Sequence, residues 1–363
     1  MIKSGYKNNS MATDNQAAYL PSFTRLSGGQ EPLETCVLAG DLGGTKTNLA
    51  LYYVNGKDLK ILQQATYHSN QYKSLSELIK AFREQYPEQM PERICVGVAG
   101  PVLHGKANIT NLTMEISEQA IREATGIDNV HLINDLEATA YGLATLKGND
   151  LVTLHPGDVS VGGNMAIIAP GTGLGEAGLF YRGEIYYPFA TEGGHSDFSP
   201  RTAQDMALHN YLREKVQVVS FEHVVSGMGI VNIFNYLRDV EKIAVPTWMS
   251  EAFKTQDEAA VISTAAEENK AAIATTTMEL FVKYLARETS NLMFKMKATG
   301  GIFIGGGIPP KILPLLQSPT FYQHYRDGDR LFELLETAPL HVINNDKAAL
   351  QGAAFYAAQA PDA

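Results

Sequence analysis

Residues 37–53 read Val-Leu-Ala-Gly-Asp-Leu-Gly-Gly-Thr-Lys-Thr-Asn-Leu-Ala-Leu-Tyr-Tyr: an apolar strand, an acidic glycine turn, then a second apolar strand. Gly43 and Gly44 let a backbone come close to a ligand and leave N–H groups open. Asp41 ends the first strand as a lone carboxylate able to hold Mg²⁺ through water. The combination suits a metal-bound nucleotide. On its own, the Gly-Gly pair reads better as a tight β-turn in which glycine supplies positive φ, so the case must come from other loops.

Two familiar phosphate motifs are excluded by context. Gly40–Thr47 comes near to a Walker A loop, but Thr45 stands where the second glycine belongs, and Leu49–Val54 is β-forming where a helix is required. Further on, a strand over Met165–Ala169 runs into Pro170-Gly171-Thr172-Gly173-Leu174-Gly175. Gly173, Gly175 and Gly178 spell G-x-G-x-x-G, yet Leu179–Tyr187 alternates as a strand where the dinucleotide fingerprint needs a helix. A strand over Gly301–Ile304 enters a third glycine loop, Gly305-Gly306-Gly307-Ile308-Pro309-Pro310. The first two units share a strand, glycine turn, strand pattern with little residue identity, so we expect a duplication of topology.

The 363 residues, 45% hydrophobic and 19% charged, suffice for two domains with substantial cores. A net charge of −10 argues against a large nucleic-acid footprint and leaves anions to be received by local glycine loops and metal. Cys36 and Cys95 each open an apolar run and read as small core residues. No Cys-x-x-Cys is present for structural zinc. No apolar stretch approaches a membrane span and the polar N-terminus lacks a signal-peptide core, so a cytoplasmic protein is expected.

Met1–Thr35 is polar and aperiodic and reads as a mobile extension, with partial docking left open. A strand over Leu59–His68 precedes a helix capped by Ser74 with Leu75, Leu78, Ile79 and Phe82 on one face. Ile94–Ala99 is a buried strand ending at Gly100-Pro101. Ser117 caps a helix to about Thr125, and the strand Val130–Ile133 ends at Asn134-Asp135 before a helix over Leu136–Leu146. The second half offers a strand over Leu151–Leu154, helices over Thr202–Val216, up to Leu237, and over Ile273–Met296. Lys311–Leu316 reads as helical, Leu340–Ile343 as the last strand and Lys347–Ala358 as a closing helix. Trp248–Asn269 reads as helical or irregular.

Three glycine loops at strand ends, with Asn134-Asp135 and the block Ala190-Thr-Glu-Gly-Gly-His-Ser196, resemble the bacterial glucokinases of the hexokinase, actin and Hsp70 ATPase superfamily, with ROK sugar kinases as relatives. The resemblance runs from about Cys36 to Gly352. It implies a two-domain, actin-like (ribonuclease H-like) α/β fold with a duplicated βββαβα core and a cleft between the domains. We expect a small domain of residues 36–145 plus 345–363 and a large one of residues 146–344. By this resemblance Gly40, Asp41, Leu42, Gly43, Gly44 and Thr45 form the first phosphate loop, with Mg²⁺ at Asp41. Gly171, Thr172 and Gly173 lie in the second, and Gly305, Gly306, Gly307 and Ile308 form the adenosine loop. Asn134, Asp135, Glu192, His195 and Glu222 correspond to the hexose contacts, and Asp135 to the catalytic base.

The chemistry makes these roles intelligible. Each hexose hydroxyl both donates and accepts, so amides and carboxylates that grip pairs of hydroxyls select by geometry. The attacking 6-hydroxyl needs a base for its proton as the bond to phosphorus forms. Taken singly, Asp135 reads as a helix cap, Glu222 as an exposed turn and His131 as a satisfied core histidine. Lys46 stands where many of these glucokinases have Asn and reads as a solvated turn residue. The expected reaction is ATP-dependent phosphorylation of glucose by a homodimer. The alternatives are a kinase for another hexose or N-acetylhexosamine, and a sugar sensor without catalysis.

Overall fold

The computed structural model describes residues 16–23, 34–109 and 112–361. Runs of β-branched, aromatic and apolar residues set the strands, and glycine turns end them. The first meander is β1 (Glu34–Leu42), β2 (Lys46–Asn55) and β3 (Asp58–His68), followed by α1 (Leu75–Gln85) and β4 (Arg93–Val98). A separate small sheet holds β5 (Val102–Leu103), β6 (Lys106–Ala107) and β7 (Ile116–Ser117). Next come α2 (Glu118–Thr125), β8 (Val130–Asn134) and α3 (Asp135–Gly142). After β9 (Leu151–His155), a second meander is built from β10 (Met165–Pro170), β11 (Leu174–Arg182) and β12 (Ile185–Thr191). It leads to α4 (Ala203–Arg213), α5 (Gly227–Asp239), α6 (Thr247–Ala252), α7 (Glu258–Glu267) and α8 (Ala272–Met296). The chain then passes through β13 (Gly301–Ile304), α9 (Leu313–Leu316), α10 (Pro319–Tyr325) and α11 (Phe332–Thr337) to β14 (Leu340–Ile343) and α12 (Ala348–Gln359).

One sheet is ordered β3-β2-β1-β4-β8 and the other β12-β11-β10-β13-β14-β9. In each, an antiparallel meander is followed by two strands parallel to its first strand. The expected duplication is therefore present, with β9 added antiparallel at the edge of the second sheet. Parallel neighbours need a crossover, supplied by helices in both halves. The two halves differ in what crosses over: α1 lies between β3 and β4, whereas α4 to α8 are inserted between β12 and β13.

Separate cores cover the faces. Leu75, Leu78, Ile79 and Phe82 of α1 pack with Leu38, Val96 and Ile121 on one face of the first sheet. On its other face Val37, Ala39 and Tyr52 meet Ala138 and Tyr141 of α3 and Leu350, Ala353 and Ala354 of α12. The opposite side of α3, Leu136 and Ala140, packs with Ile167, Ala169 and Ala177 of the second sheet. Helix α3 is thus held between the two sheets. Its crossing with α12 is close enough that a Cβ on Gly142 would run into the Ala348 carbonyl, and one on Gly352 into the Ala138 carbonyl.

Several sequence expectations need correction. Leu179–Tyr187 is not one strand but the two arms of a hairpin, β11 and β12, turning at Gly183 (φ 59°) and Glu184 (φ 71°). Two consecutive positive φ values are the signature of a two-residue hairpin turn, and the alternation continues through it, which hid the break. The extension is partly docked: Tyr19 packs against His341 and Phe23 against Tyr141 and Phe355, while Glu34 and Thr35 already belong to β1. Residues 1–15 and 24–33 lie outside the described residues. The third helix ends earlier than expected, at Gly142, and continues as a 3₁₀ turn over Leu143–Thr145. Elements β5, β6, β7, α10 and α11 were not anticipated; they are too short to show a period.

Candidate active site

The first glycine loop joins β1 to β2. The Gly43 N–H donates to the Lys46 carbonyl at 3.0 Å, and the Ser69 hydroxyl from the end of β3 donates to the Gly43 carbonyl at 2.8 Å, so the turn is braced from behind. Gly44, Thr45 and Lys46 are exposed. Gly40 and Leu42 lie inside the ladder: a Cβ at Gly40 would press on Val96, and the Leu42 side chain is fully buried. Their side-chain positions serve packing, and the exposed backbone of the turn is that of Gly44 and Thr45. The Asp41 carboxyl is pushed up by burial, opposed by a hydrogen bond from Asn48 Nδ2 at 3.4 Å. Asn48 is itself oriented by Thr66, whose hydroxyl donates to Asn48 Oδ1 at 2.8 Å.

The second and third loops end the neighbouring parallel strands β10 and β13. The Gly171 N–H donates to the Gly173 carbonyl, and the Gly171 carbonyl accepts from the Gly227 N–H, both at 2.8 Å. That second bond ties the loop to the N-terminus of α5, which Ser226 caps through the Gly229 N–H at 3.0 Å. In the third loop Gly306 has φ 84°, and a Cβ there would meet the Pro170 carbonyl; a Cβ on Gly307 would meet nothing. The two loops open into a cavity of about 1160 Å³, whose walls include Ser263 and Glu267 of α7, Thr275 and Glu279 of α8, and Lys311. The first loop is not part of its lining. Nothing local in the sequence marked α7 and α8 as its walls, because their contribution depends on the long insertion folding back.

Asn134 and Asp135 stand at the end of β8 and the start of α3. The cap of α3 is Asn134, not Asp135: Asn134 Oδ1 accepts from the Leu136 N–H at 2.9 Å and the Glu137 N–H at 3.3 Å, and its Nδ2 donates to the Gly100 carbonyl. Asp135 is the first residue of the helix, accepting from the Leu136 N–H at 2.9 Å. Its carboxyl is pushed up to about 6, first by burial and then by the charge of Asp41, with Glu192 adding to the rise. Asp41, Asp135 and Glu192, from three separate segments, therefore share one electrostatic neighbourhood.

Glu192 precedes, and His195 ends, a 3₁₀ turn over Gly193–His195, and both residues are exposed. A short antiparallel bridge joins Asp197 to Ser220, with the Phe198 N–H donating to the Val219 carbonyl at 2.8 Å and the Phe221 N–H to the Ser196 carbonyl at 3.0 Å. This bridge brings Glu222 beside the Glu192–His195 turn. Glu222 Oε2 also accepts from the Leu174 N–H at 2.9 Å, and a Cβ on Gly173 would run into its carboxylate. Glu222 thus links the second glycine loop to the turn. A smaller cavity of about 510 Å³ is lined by Asn134, Glu137, Thr191 and Glu192 among others. His131 is not satisfied as expected: it packs edge-on against Tyr356, its Nε2 is buried without a hydrogen-bond partner among the described residues, and burial pulls its pKa down.

Comparison with known proteins addresses the chain as a whole. The glucokinase family profile matches residues 38–360. A glucokinase of Nostoc punctiforme (strain ATCC 29133 / PCC 73102) is 38% identical over 339 residues, covering 90% of this chain and 99% of its own. The crystal structure of a glucokinase from an Antarctic psychrotroph superposes with a TM-score of 0.76 at 29% identity, covering 88% of this chain and 98% of that one. A ROK family glucokinase from Streptomyces griseus, solved with glucose and AMPPNP, shares the fold at a TM-score of 0.58 and 18% identity, over 88% of this chain and 98% of that one. With a family match over nearly its whole described length and a relative at this identity, the chain belongs to the glucokinase family.

Proposed function

We propose that the protein transfers the γ-phosphoryl group of ATP to the 6-hydroxyl of glucose, giving glucose 6-phosphate and ADP, in the cytoplasm and at the entry to glycolysis. The observation that carries the reading is Asp135: a carboxylate at the first position of a helix clamped between both sheets, with its pKa raised to about 6 beside the Glu192 turn. A base of that strength is ionised at neutral pH yet still binds a proton well enough to take one from a reacting hydroxyl. Asn134, Glu192, His195 and Glu222 would hold the sugar hydroxyls. Because Asn134 Oδ1 is committed to the helix cap, its share of that work falls to the amide nitrogen.

The cavity lined by Gly171, Thr172, Gly307 and Ile308 has the size and the backbone N–H supply for the nucleotide, with the N-terminus of the 13-residue α5 directed at the second loop. The donor set fits Mg²⁺ accompanying ATP: Asp41 and Asp135 are two half-buried acids that repel each other, an arrangement a divalent cation relieves. Asp41 would hold it through water. The ion would supply charge neutralisation of the transferring phosphoryl group.

We read residues 36–145 with 345–363 and residues 146–344 as two lobes that close over the sugar, excluding water so that the hydroxyl and not water is phosphorylated. The exposure of Glu192 and His195 supports an open cleft before closure. The homodimer expected from the family resemblance is tested by the mass in solution. The function itself is tested by a coupled assay for ADP release across hexoses, fructose, mannose and N-acetylmannosamine among them. Turnover of another hexose without turnover of glucose overturns the reading.

A further inference from the structure

Directly behind the Glu192–His195 turn lies a pair of buried acids with no place in the reaction above. Glu176, on β11, is 1% exposed, and Glu288, on α8, is 0% exposed. They lie within hydrogen-bonding reach of each other. Their surroundings differ. Glu288 Oε1 accepts from Lys295 Nζ at 2.9 Å and its Oε2 from Asn291 Nδ2 at 2.7 Å; burial raises its pKa and these donors oppose the rise, so of the two acids Glu288 is the one served as a carboxylate. Glu176 Oε1 has no hydrogen-bond donor among the described residues. A buried carboxylate with no donor, beside another carboxylate, is costly. The same group carrying a proton can donate it to Glu288 and is satisfied.

The pair also touches the turn. A Cβ on Gly193 would fall inside the Glu176 carboxyl, the Glu176 carbonyl accepts from the Thr191 hydroxyl at 2.9 Å, and that hydroxyl accepts from the Gly193 N–H at 3.2 Å. The backbone that carries Glu192 and His195 therefore rests on Glu176. We propose that Glu176 acts as a neutral carboxylic acid, donating its proton to the Glu288 carboxylate, and by this bond positions the Glu192–His195 turn for the sugar. Glu176 is a positioning residue, and the proposal rests on the reading of that turn as the sugar contact.

The charged groups acting on Glu176 are Glu288 and Lys295, both from α8, while β12 and the turn present the Thr191 hydroxyl and glycine backbone. Burial and the Glu288 charge both hold the Glu176 carboxyl well above its ordinary range, with Lys295 opposing. Loss of the proton at alkaline pH leaves two buried carboxylates sharing one lysine and pushes the turn off its support.

The test is the pH dependence of KM for glucose in the unmutated protein, Glu176→Gln and Glu176→Ala, with kcat measured alongside. The glutamine amide donates as the protonated acid does but cannot ionise. Expected is a KM that rises roughly tenfold towards alkaline pH in the unmutated protein with little change in kcat, a flat profile at the neutral value for Glu176→Gln, and a KM raised at every pH for Glu176→Ala. Hydrogen exchange at the amides of residues 193–196 reads the turn without reference to any sugar, and should be faster at alkaline pH in the unmutated protein than in Glu176→Gln. An alkaline rise that persists in Glu176→Gln, or identical exchange in the two proteins, overturns the proposal. Absence of glucose turnover by the unmutated protein instead overturns the functional reading and leaves the exchange comparison as the deciding test.

Discussion

The two halves share a topology and divide the chemistry. In the first, the opening strand of the meander carries Asp41 at its end, and the last parallel strand ends at Asn134, with Asp135 starting the helix. In the second, β10 ends in Pro170, and β14 leads through Asn344-Asn345 to α12. At those places the first half has acids and the second has a proline and amides. Asn344 and Asn345 serve the backbone: Asn345 Oδ1 accepts from the Lys347 N–H at 2.8 Å, and Asn344 Nδ2 donates to the Asn149 carbonyl at 3.3 Å. The second half instead carries the long insertion α4 to α8, which walls the large cavity and holds Glu222. A duplicated scaffold places loops at matching strand ends. What the loops do follows from their side chains and from what is inserted between strands.

If that division is right, damage to the first half should strike turnover, and damage to the second should strike binding. The sharpest break would come from Asp135→Asn, expected to lower kcat by about two orders of magnitude or more with KM for glucose little changed. A variant that kept near-normal kcat would move the proton transfer elsewhere. Across the cleft, Glu192→Ala should raise KM for glucose roughly tenfold to a hundredfold, since an exposed side chain can be lost without harm to the fold. A kcat effect as large as its KM effect would blur the distinction between the halves.

Glycine replacements sharpen it further. Gly306→Ala adds a Cβ at positive φ against the Pro170 carbonyl and should cost about 2–4 kcal/mol of stability, read as a lower Tm, and weaken ATP binding. Gly307→Ala, with open space around it, should leave Tm unchanged. The acid side of the pH profile tests Asp135 again: kcat/KM should fall about tenfold per pH unit below about 6. Because the native state holds this proton more tightly than the unfolded chain does, Asp135 contributes stability below the unfolded carboxyl pKa. That contribution fades as pH rises through about 6. A kcat/KM limb at the ordinary aspartate value would mean that neither burial nor Asp41 acts on it. The smallest effect belongs to Lys46→Ala: the side chain is exposed in the turn, and kcat and KM should change less than about twofold.

Much of the fold was legible because its signals are local. Leu75, Leu78, Ile79 and Phe82 repeat at helical spacing, Ser74 and Ser117 cap the helices expected of them, and each glycine loop follows an apolar strand. The β11–β12 hairpin was missed because its strand alternation continues across Gly183-Glu184. The roles of Asn134 and Asp135 at the helix start were reversed in part for a similar reason: both types cap helices, and one residue of register decides which does. The walls supplied by α7 and α8, and the meeting of Glu176 with Glu288, left no local trace.

By itself, then, the sequence determined most of the strands of the two large sheets, the three glycine loops, the acids at the strand ends and the family they spell, because each of these depends on neighbours along the chain. The tertiary structure alone decided that Gly43-Gly44 faces outward from one sheet while the loops at Gly171 and Gly307 share a cavity on the other. It also decided that Asp41 and Glu192 act on Asp135, and that Glu176 lies buried beneath Gly193. Burial and the fields of distant charges arise only when segments far apart in the chain are packed together, and those two quantities set the proton affinities on which the chemistry depends.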